Sequence, residues 1–249
     1  APALAAALAT GTPTIYSPRV KYVVWRRVVW PPCVKRLYGM NNGLSKEGLG
    51  DKRNPGYETK VASLRVVGDT DDPLLVDFFS VAMIEHASPR PVLLQHARFT
   101  YRGMPGAGNL FIRDCVSPWW SFSPGQKVWA RQWNVESHAV GPCILADGAD
   151  VWSLGFKTEY GSQKLKAING ASVEIYGAFI YPVVKAIPKD RPVFEVIDSN
   201  FSAQWGLSIY TAGHHLQVRD VQQGEVRETV IRDGNQHGPR FRFDFYSNR

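Results

Sequence analysis

Two glutamates end related nine-residue segments of the chain, which makes them candidates for acid/base chemistry. VWARQWNVE ends at Glu136 and VWSLGFKTE ends at Glu159, so equivalent residues lie 23 positions apart. In stacked strands, this spacing places the two carboxyl groups one strand apart, at about 5 Å. Carboxyl groups that close suit a nucleophile and a general acid of a retaining glycosidase. The alternative is structural, with the glutamate ladder held by Lys157 or Arg131.

Glu85, His86 and His138 extend the set of catalytic and binding candidates. Glu85 and His86 place a carboxylate beside an imidazole in MIEHASPR, although only one of two adjacent strand residues is expected to face a groove. His138 follows Glu136 closely, which makes Glu136 the stronger catalytic candidate. Glu159, in the turn-like KTEYG, is expected to be architectural.

Tryptophans supply candidate sugar-binding rings. Trp119 and Trp120 are consecutive in SPWWSFSPG, so both cannot face the core of a strand. We expect at least one to point outward and to contact a glycan or a partner; packing beneath a loop is the alternative. Trp133, His138 and His86 are the further substrate-binding candidates.

Composition limits the partners and cofactors. The net charge of +7 over 249 residues favours anionic partners, but the basic residues form no long run, so we expect no nucleic-acid binding. The three cysteines (Cys33, Cys115 and Cys143) lack metal-site spacing, and neither a metal nor a cofactor is expected. At most one disulfide can form. No segment is apolar enough for a membrane span, and the chain reads as a mature or excised form.

A repeat of about 20 residues predicts the fold. Aligned apolar segments begin at Val92, Leu110, Val128, Val151 and Val173, at intervals of 18, 18, 23 and 22 residues, with turn residues between them. Each interval holds one coil of a parallel β-helix, an all-β solenoid. The strand-opening residues should form one inward column.

Side chains at equivalent positions of successive coils should stack in ladders. Trp129 over Trp152 and Trp133 over Phe156 are the clearest expected pairs. Ala3 to Gly11 is the one helical segment that the sequence predicts.

A family resemblance agrees with this fold. The run GNLFIRDCVSPWWSFSPGQKVWARQWNVES, followed by DGADVWSLGFKTEYG and INGASVEIYGAFIYP, resembles the right-handed parallel β-helix proteins of the pectate-lyase superfamily. It is most similar to the tandem-β-helix group with the glycoside hydrolase family 55 exo-β-1,3-glucanases, over Leu4 to Pro182. The resemblance implies an N-terminal helical cap and a secreted or cell-surface hydrolase of a β-glucan or related glycan. Family 55 enzymes invert, which requires a wider carboxyl separation than a stacked pair provides.

The resemblance also implies a partner. In two-module relatives the active site lies between two β-helices, so a second module or chain, or a homo-oligomer, would complete the cleft. We expect residues 1–249 to form one module: a cap at 1–12, coils at 13–182 with a loop at about 41–57, and terminal coils with a C-terminal cap at 183–249.

Two function classes stay open. The first is an enzyme that acts on extracellular polysaccharide, as a hydrolase or, less favoured, as a lyase with a basic residue and usually calcium. The second is a non-catalytic β-helix that binds glycan or assembles a surface or phage-like fibre. The fold alone does not choose between them.

Overall fold

Short apolar runs separated by turn residues form strands through most of the chain. The computed structural model describes residues 2–19, 21–23, 27–45, 63–138, 141–184, 186–209, 213–231 and 240–249. The protein is all-β with about eight turns of parallel β-solenoid and one short N-terminal helix, so the predicted fold class is confirmed. The coils are consistent with a right-handed parallel β-helix. The chain forms two compact units, Ala1–Val116 and Ser117–Arg249.

The helix α1 spans Pro2–Ala9, close to the predicted segment. Alanine and leucine favour the helix, and Gly11, at φ +72°, provides the left-handed residue that commonly follows a helix end. Leu4 and Leu8 lie four residues apart and are both buried. Helix α1 packs near β3 (Val28–Trp30), so it covers core residues of the first unit.

The strands of the first unit pair in parallel. Long strands pair with more than one neighbour because each bends between two faces of a coil. In the described residues these strands are β1 (Thr14–Ser17), β2 (Lys21–Val23), β3, β4 (Arg36–Ser45), β5 (Ser63–Val66), β6 (Leu74–His86), β7 (Val92–Gln95), β8 (Arg98–Gly103) and β9 (Leu110–Ser117).

The second unit contains two parallel ladders and two antiparallel strands. One ladder consists of β10 (Trp120–Phe122), β12 (Ile144–Asp147), β14 (Leu165–Ile168), β16 (Phe194–Ile197) and β18 (Leu216–Gln222). The other consists of β11 (Lys127–Val135), β13 (Asp150–Thr158), β15 (Ser172–Ile180) and β17 (Asn200–Ile209). The antiparallel strands are β19 (Glu225–Val230), beside β18, and β20 (Arg240–Ser247), beside β17.

The repeat residues form the predicted inward columns within each unit. Val92 pairs with Leu110 in the first unit, and Val128 pairs with Val151, which pairs with Val173, in the second. All five side chains have 0% exposure. The strand register predicted from the sequence intervals is therefore confirmed inside each unit.

In six of the described coils, a left-handed corner occurs four residues after the buried apolar residue that opens the coil. Its backbone φ values lie between 48° and 77°, at Phe78, His96 and Asp114 in the first unit and at Gln132, Gly155 and Gly177 in the second. Positive φ is costly for residues with a Cβ atom, on the order of 1 kcal/mol. The corner lets one strand run from one face of the solenoid to the next.

The predicted loop at about 41–57 is partly replaced by strand. Residues 41–45 belong to β4, which runs to Ser45 and pairs in parallel with β6. The remainder, 46–57, lies outside the described residues. Among the described helices none is long and apolar enough to cross a membrane.

Candidate functional site

The two repeat glutamates emerge side by side from neighbouring strands. Val135, the last residue of β11, pairs with Thr158, the last residue of β13. Glu136 and Glu159 follow these residues directly, so they occupy equivalent positions of successive coils. The 23-residue repeat predicted this placement.

An ammonium group lies between the two carboxylates. The Nζ atom of Lys157 is 2.6 Å from Oε1 of Glu136 and 2.5 Å from Oε1 of Glu159, so these two oxygens are at most about 5 Å apart. All three side chains are partly exposed, at 35%, 25% and 22% for Lys157, Glu136 and Glu159. A glutamate ladder held by Lys157, one of the two structural alternatives from the sequence, is therefore present.

Tyr181 occupies the same position one coil later. It follows β15, whose last residue Ile180 pairs with Thr158. Its hydroxyl donates a 2.5 Å hydrogen bond to Oε1 of Glu159, and its ring centroid lies 5.1 Å from Nζ of Lys157, within cation–π range. The sequence contained a signal for this residue, because Tyr181 is the ninth residue of the repeat segment VEIYGAFIY.

Hydrogen bonding determines the charge of this group. The bonds from Lys157 and then Tyr181 hold the pKa of the Glu159 carboxyl below its usual range. Burial alone would lower the pKa of Lys157, but its bonds to Glu136 and Glu159 outweigh burial and raise it. Burial and the bond to Glu159 raise the pKa of Tyr181. Near neutral pH, Glu159 is ionised, Lys157 is cationic and Tyr181 is a neutral donor.

A buried lysine, Lys164, holds the backbone of the loop that begins at Glu159. The Nζ atom of Lys164 donates to the backbone oxygens of Glu159, at 2.5 Å, and Tyr160, at 2.9 Å. Lys164 has 0% exposure, and burial lowers its pKa to about 8. These bonds hold the backbone of Glu159 and present the ring of Tyr160, at φ 62°, towards His138.

Two further rings lie beside the glutamates. The rings of His138 and Tyr160 are in contact, with centroids 3.7 Å apart and planes 40° apart. His138 is exposed and Tyr160 is half-buried. Glu136, Lys157, Glu159, Tyr181, His138 and Tyr160 are called the carboxylate surface below.

Two of the predicted sugar-stacking tryptophans are core residues instead. Trp120 and Trp133 both have 0% exposure and meet edge to face at 5.2 Å. Trp133 also meets Phe156 edge to face, at 5.8 Å, rather than in a parallel stack. The period-2 alternation of their strands directs both rings inward. Trp119 is half-buried, so it is the ring of the pair that a ligand can reach.

The acid/base assignment of Glu85 and His86 also needs correction. Glu85 is 7% exposed and forms a double ion pair with Arg27, at 2.9 and 3.2 Å. His86 has 0% exposure and bonds Tyr101 Oη at 2.7 Å and the backbone oxygen of Arg90 at 2.9 Å. Burial lowers the pKa of His86 to about 4. Neither side chain is placed to meet a polysaccharide, because both are enclosed by protein partners.

Comparisons with protein-family models, with curated proteins and with solved structures give no match. Of the predicted resemblance, the structure supports the parallel β-helix fold, and no comparison supports the pectate-lyase superfamily or glycoside hydrolase family 55.

The described residues contain neither a cluster of metal ligands nor a disulfide. No group of three or more His, Cys, Asp or Glu residues there could hold a metal ion. Cys33, Cys115 and Cys143 are free thiols. Burial raises the pKa of Cys115 to about 12, so this thiol stays protonated.

Proposed function

We propose that this protein is a secreted or cell-surface β-helix that binds polysaccharide on the carboxylate surface. The observation that supports the proposal is the partly exposed Glu136–Lys157–Glu159 group, which the Tyr181 ring contacts directly. The bonds that Lys157 and Tyr181 donate to these carboxylates use Oε1. The Oε2 atoms can accept hydroxyl protons, and the rings of Tyr181 and His138 offer apolar area for a sugar ring.

Binding fits the charges of this group better than bond cleavage does. Glycoside hydrolysis requires one carboxylic acid that protonates the leaving oxygen. Glu159 is ionised because Lys157 and Tyr181 donate to it, and the ammonium occupies the space between the two acids. A fixed ion-paired group of this kind orients hydroxyl groups without transferring protons.

Glycoside hydrolysis is the second candidate function. The two Oε1 atoms, at most about 5 Å apart, match the carboxyl spacing of retaining enzymes. The resemblance to family 55 proteins points to a β-glucan, and a second module, a second chain or a homo-oligomer would then complete the cleft. Glu136 is the better acid/base candidate, because Lys157 and Tyr181 both donate to Glu159, whereas of these two only Lys157 donates to Glu136.

Isothermal titration with laminarin and with polygalacturonate tests the binding proposal. We expect Lys157→Met to weaken binding of the preferred glycan about tenfold or more, which corresponds to 1.4 kcal/mol. Glu225→Gln is the matched control, since Glu225 has an 80% exposed side chain elsewhere in the second unit. Unchanged affinity of the Lys157 variant would reject this surface as the binding site.

A reducing-sugar assay on the same two glycans separates the two functions. The binding proposal expects no new reducing ends. Release of reducing ends that disappears in a folded Glu136→Gln variant would establish the hydrolase instead.

A further inference from the structure

A stacked pair of rings stands at the left-handed corner of the first unit. Phe78 and His96 are corner residues of successive coils, with ring centroids 4.5 Å apart and planes 17° apart. The side chain of Phe78 is 48% exposed and that of His96 is 31% exposed. Both rings are therefore held at the surface rather than in the core.

The backbone at this corner is costly for these residue types. Phe78 has φ 50° and His96 has φ 48°, values that bulky side chains rarely adopt. Glycine serves the equivalent corner of the second unit at Gly155 and Gly177. The geometry of the corner therefore does not require an aromatic ring, and burial does not compensate for the strain.

A buried carboxylate orients the imidazole. Asp77, 7% exposed, accepts a hydrogen bond from Nδ1 of His96 at 2.8 Å and another from Nε2 of Gln95 at 2.7 Å. A carboxylate accepts hydrogen bonds and does not donate them, so Nδ1 of His96 is the donor in the first bond. In the neutral form of this ring Nε2 is the acceptor, and none of the described residues bonds to it.

More aromatic surface continues the outward column of Asp77. Tyr16 pairs with Tyr38, and Tyr38 pairs with Asp77, in the register of β1, β4 and β6. The two tyrosine rings stack at 5.6 Å, and Tyr16 is 69% exposed. The stacked tyrosine rings thus lie in the same ladder as Asp77, on β4 and β1.

We infer that the first unit carries a second saccharide site, for an uncharged sugar. It consists of Asp77, Phe78, Gln95 and His96 and is called the Phe78 corner. A pyranose ring packs its C–H face on Phe78, and a hydroxyl of a neighbouring sugar residue of the same chain donates its proton to Nε2 of His96. The carboxylate of Asp77 favours hydroxyl donors and disfavours a uronate. This inference rests on the proposed polysaccharide binding, but its residues belong to the first unit and not to the carboxylate surface.

Glycine substitutions at the corner test the site without strain on the fold. Phe78→Gly and His96→Gly each remove a ring and relieve a positive φ, so both variants should keep the thermal midpoint of the wild type within a few degrees. We expect each to bind laminarihexaose at least tenfold more weakly in isothermal titration. Asp114→Gly is the matched control, because Asp114 is the next corner residue, with φ 49°, and carries no ring; its affinity should equal that of the wild type.

The acidic probe and a spectroscopic readout complete the test. Hexagalacturonate should bind more weakly than laminarihexaose; the opposite order would overturn the neutral-sugar assignment and favour Arg113, which follows Gln95 in the same ladder. A ¹⁵N imidazole spectrum should show His96 as the Nδ1–H tautomer, with Nε2 shifted by laminarihexaose. An Nε2–H tautomer would overturn the acceptor role.

The outcomes separate this inference from the proposed function. If both glycine variants bind laminarihexaose as tightly as the wild type, the Phe78 corner is rejected as a saccharide site and the carboxylate surface is not affected. If Lys157→Met still binds and Phe78→Gly does not, the carboxylate surface is rejected as a binding site and the Phe78 corner is not. Absence of binding by the wild type overturns both. If Phe78→Gly does not fold, His96→Asn decides, since asparagine tolerates the left-handed backbone.

Discussion

Lys157 extends from one coil to the carboxylate of Glu136 on the preceding coil, with Nζ 2.6 Å from Oε1. The same nitrogen holds Glu159 on its own coil. One ammonium thus bridges two acids that the strand register brings together. Without the cation, that register would place two like charges side by side.

Removal of this cation should lower the free energy of unfolding. We expect Lys157→Met to lose about 1–2 kcal/mol at pH 7, because two ionised carboxylates would face each other partly out of water. Lys127→Met, at the exposed start of the neighbouring strand β11, should lose less than about 0.5 kcal/mol. Urea unfolding of both variants measures the difference, and equal losses would contradict the bridging role.

Acid should destabilise the fold through His86. Burial lowers its folded pKa to about 4 from an ordinary value of 6.5, so the unfolded chain binds the extra proton between these values. The stabilisation is complete above pH 6.5 and is lost as the pH falls towards 4, by about 3 kcal/mol. Urea unfolding from pH 7 to 4 should show a shallower decline for His86→Gln than for the wild type.

A His86→Gln protein that loses as much stability on acidification as the wild type would show that His86 does not carry this linkage.

The two aromatic columns should differ in their effect on stability. Trp133 has 0% exposure, so Trp133→Ala should cost about 3–5 kcal/mol through lost burial and a cavity. Trp129 is half-buried and stacks on Trp152 at 5.3 Å, so Trp129→Ala should cost only about 1 kcal/mol. Thermal unfolding of the two variants gives the comparison, and a larger loss for Trp129→Ala would contradict the assigned faces.

The left-handed corner predicts opposite effects at paired positions. A Cβ atom on Gly155 meets ordinary contact distances, at 3.5 Å from the nearest atom, so the cost of Gly155→Ala arises from its φ of +77° and should be about 1–2 kcal/mol. Gln132→Gly, at the preceding corner, should be neutral or slightly stabilising. Calorimetric midpoints measure both, and a stabilised Gly155→Ala variant would refute the strain.

The register of the solenoid could be predicted because apolar residues repeat at short intervals. The segments from Val92 to Val173 show this pattern, and the glutamate ladder follows from it. Leu74 and Phe201 continue the inward columns of their units, but the repeat alignment did not include them. Phe201 lies 28 residues after Val173, and the segment from Leu74 lacks the motif of the later repeats.

Side-chain environments could be predicted less well than the register. The tandem Trp119 and Trp120 suggested an exposed ring without indicating which one, since the strand start at Trp120 determines the inward face. His86 looked reactive beside Glu85, because its partners Tyr101 and Arg90 become neighbours only in the folded coils. Phe78 and His96 lie 18 residues apart, a spacing that matches the repeat and could have indicated their stack. The stack also requires a left-handed backbone at Phe78, which the sequence does not predict because phenylalanine rarely adopts it.

Coil length in the second unit is uncoupled from the core. The inward column runs from Val151 to Val173 to Phe201 in unbroken pairing, although one interval is 22 residues and the next is 28. The extra residues between β15 and β16 leave Val173 and Phe201 fully buried. Such a coil can accept inserted peptides at this turn, so it offers a grafting point where a new recognition loop could be installed while the interior stays as it is.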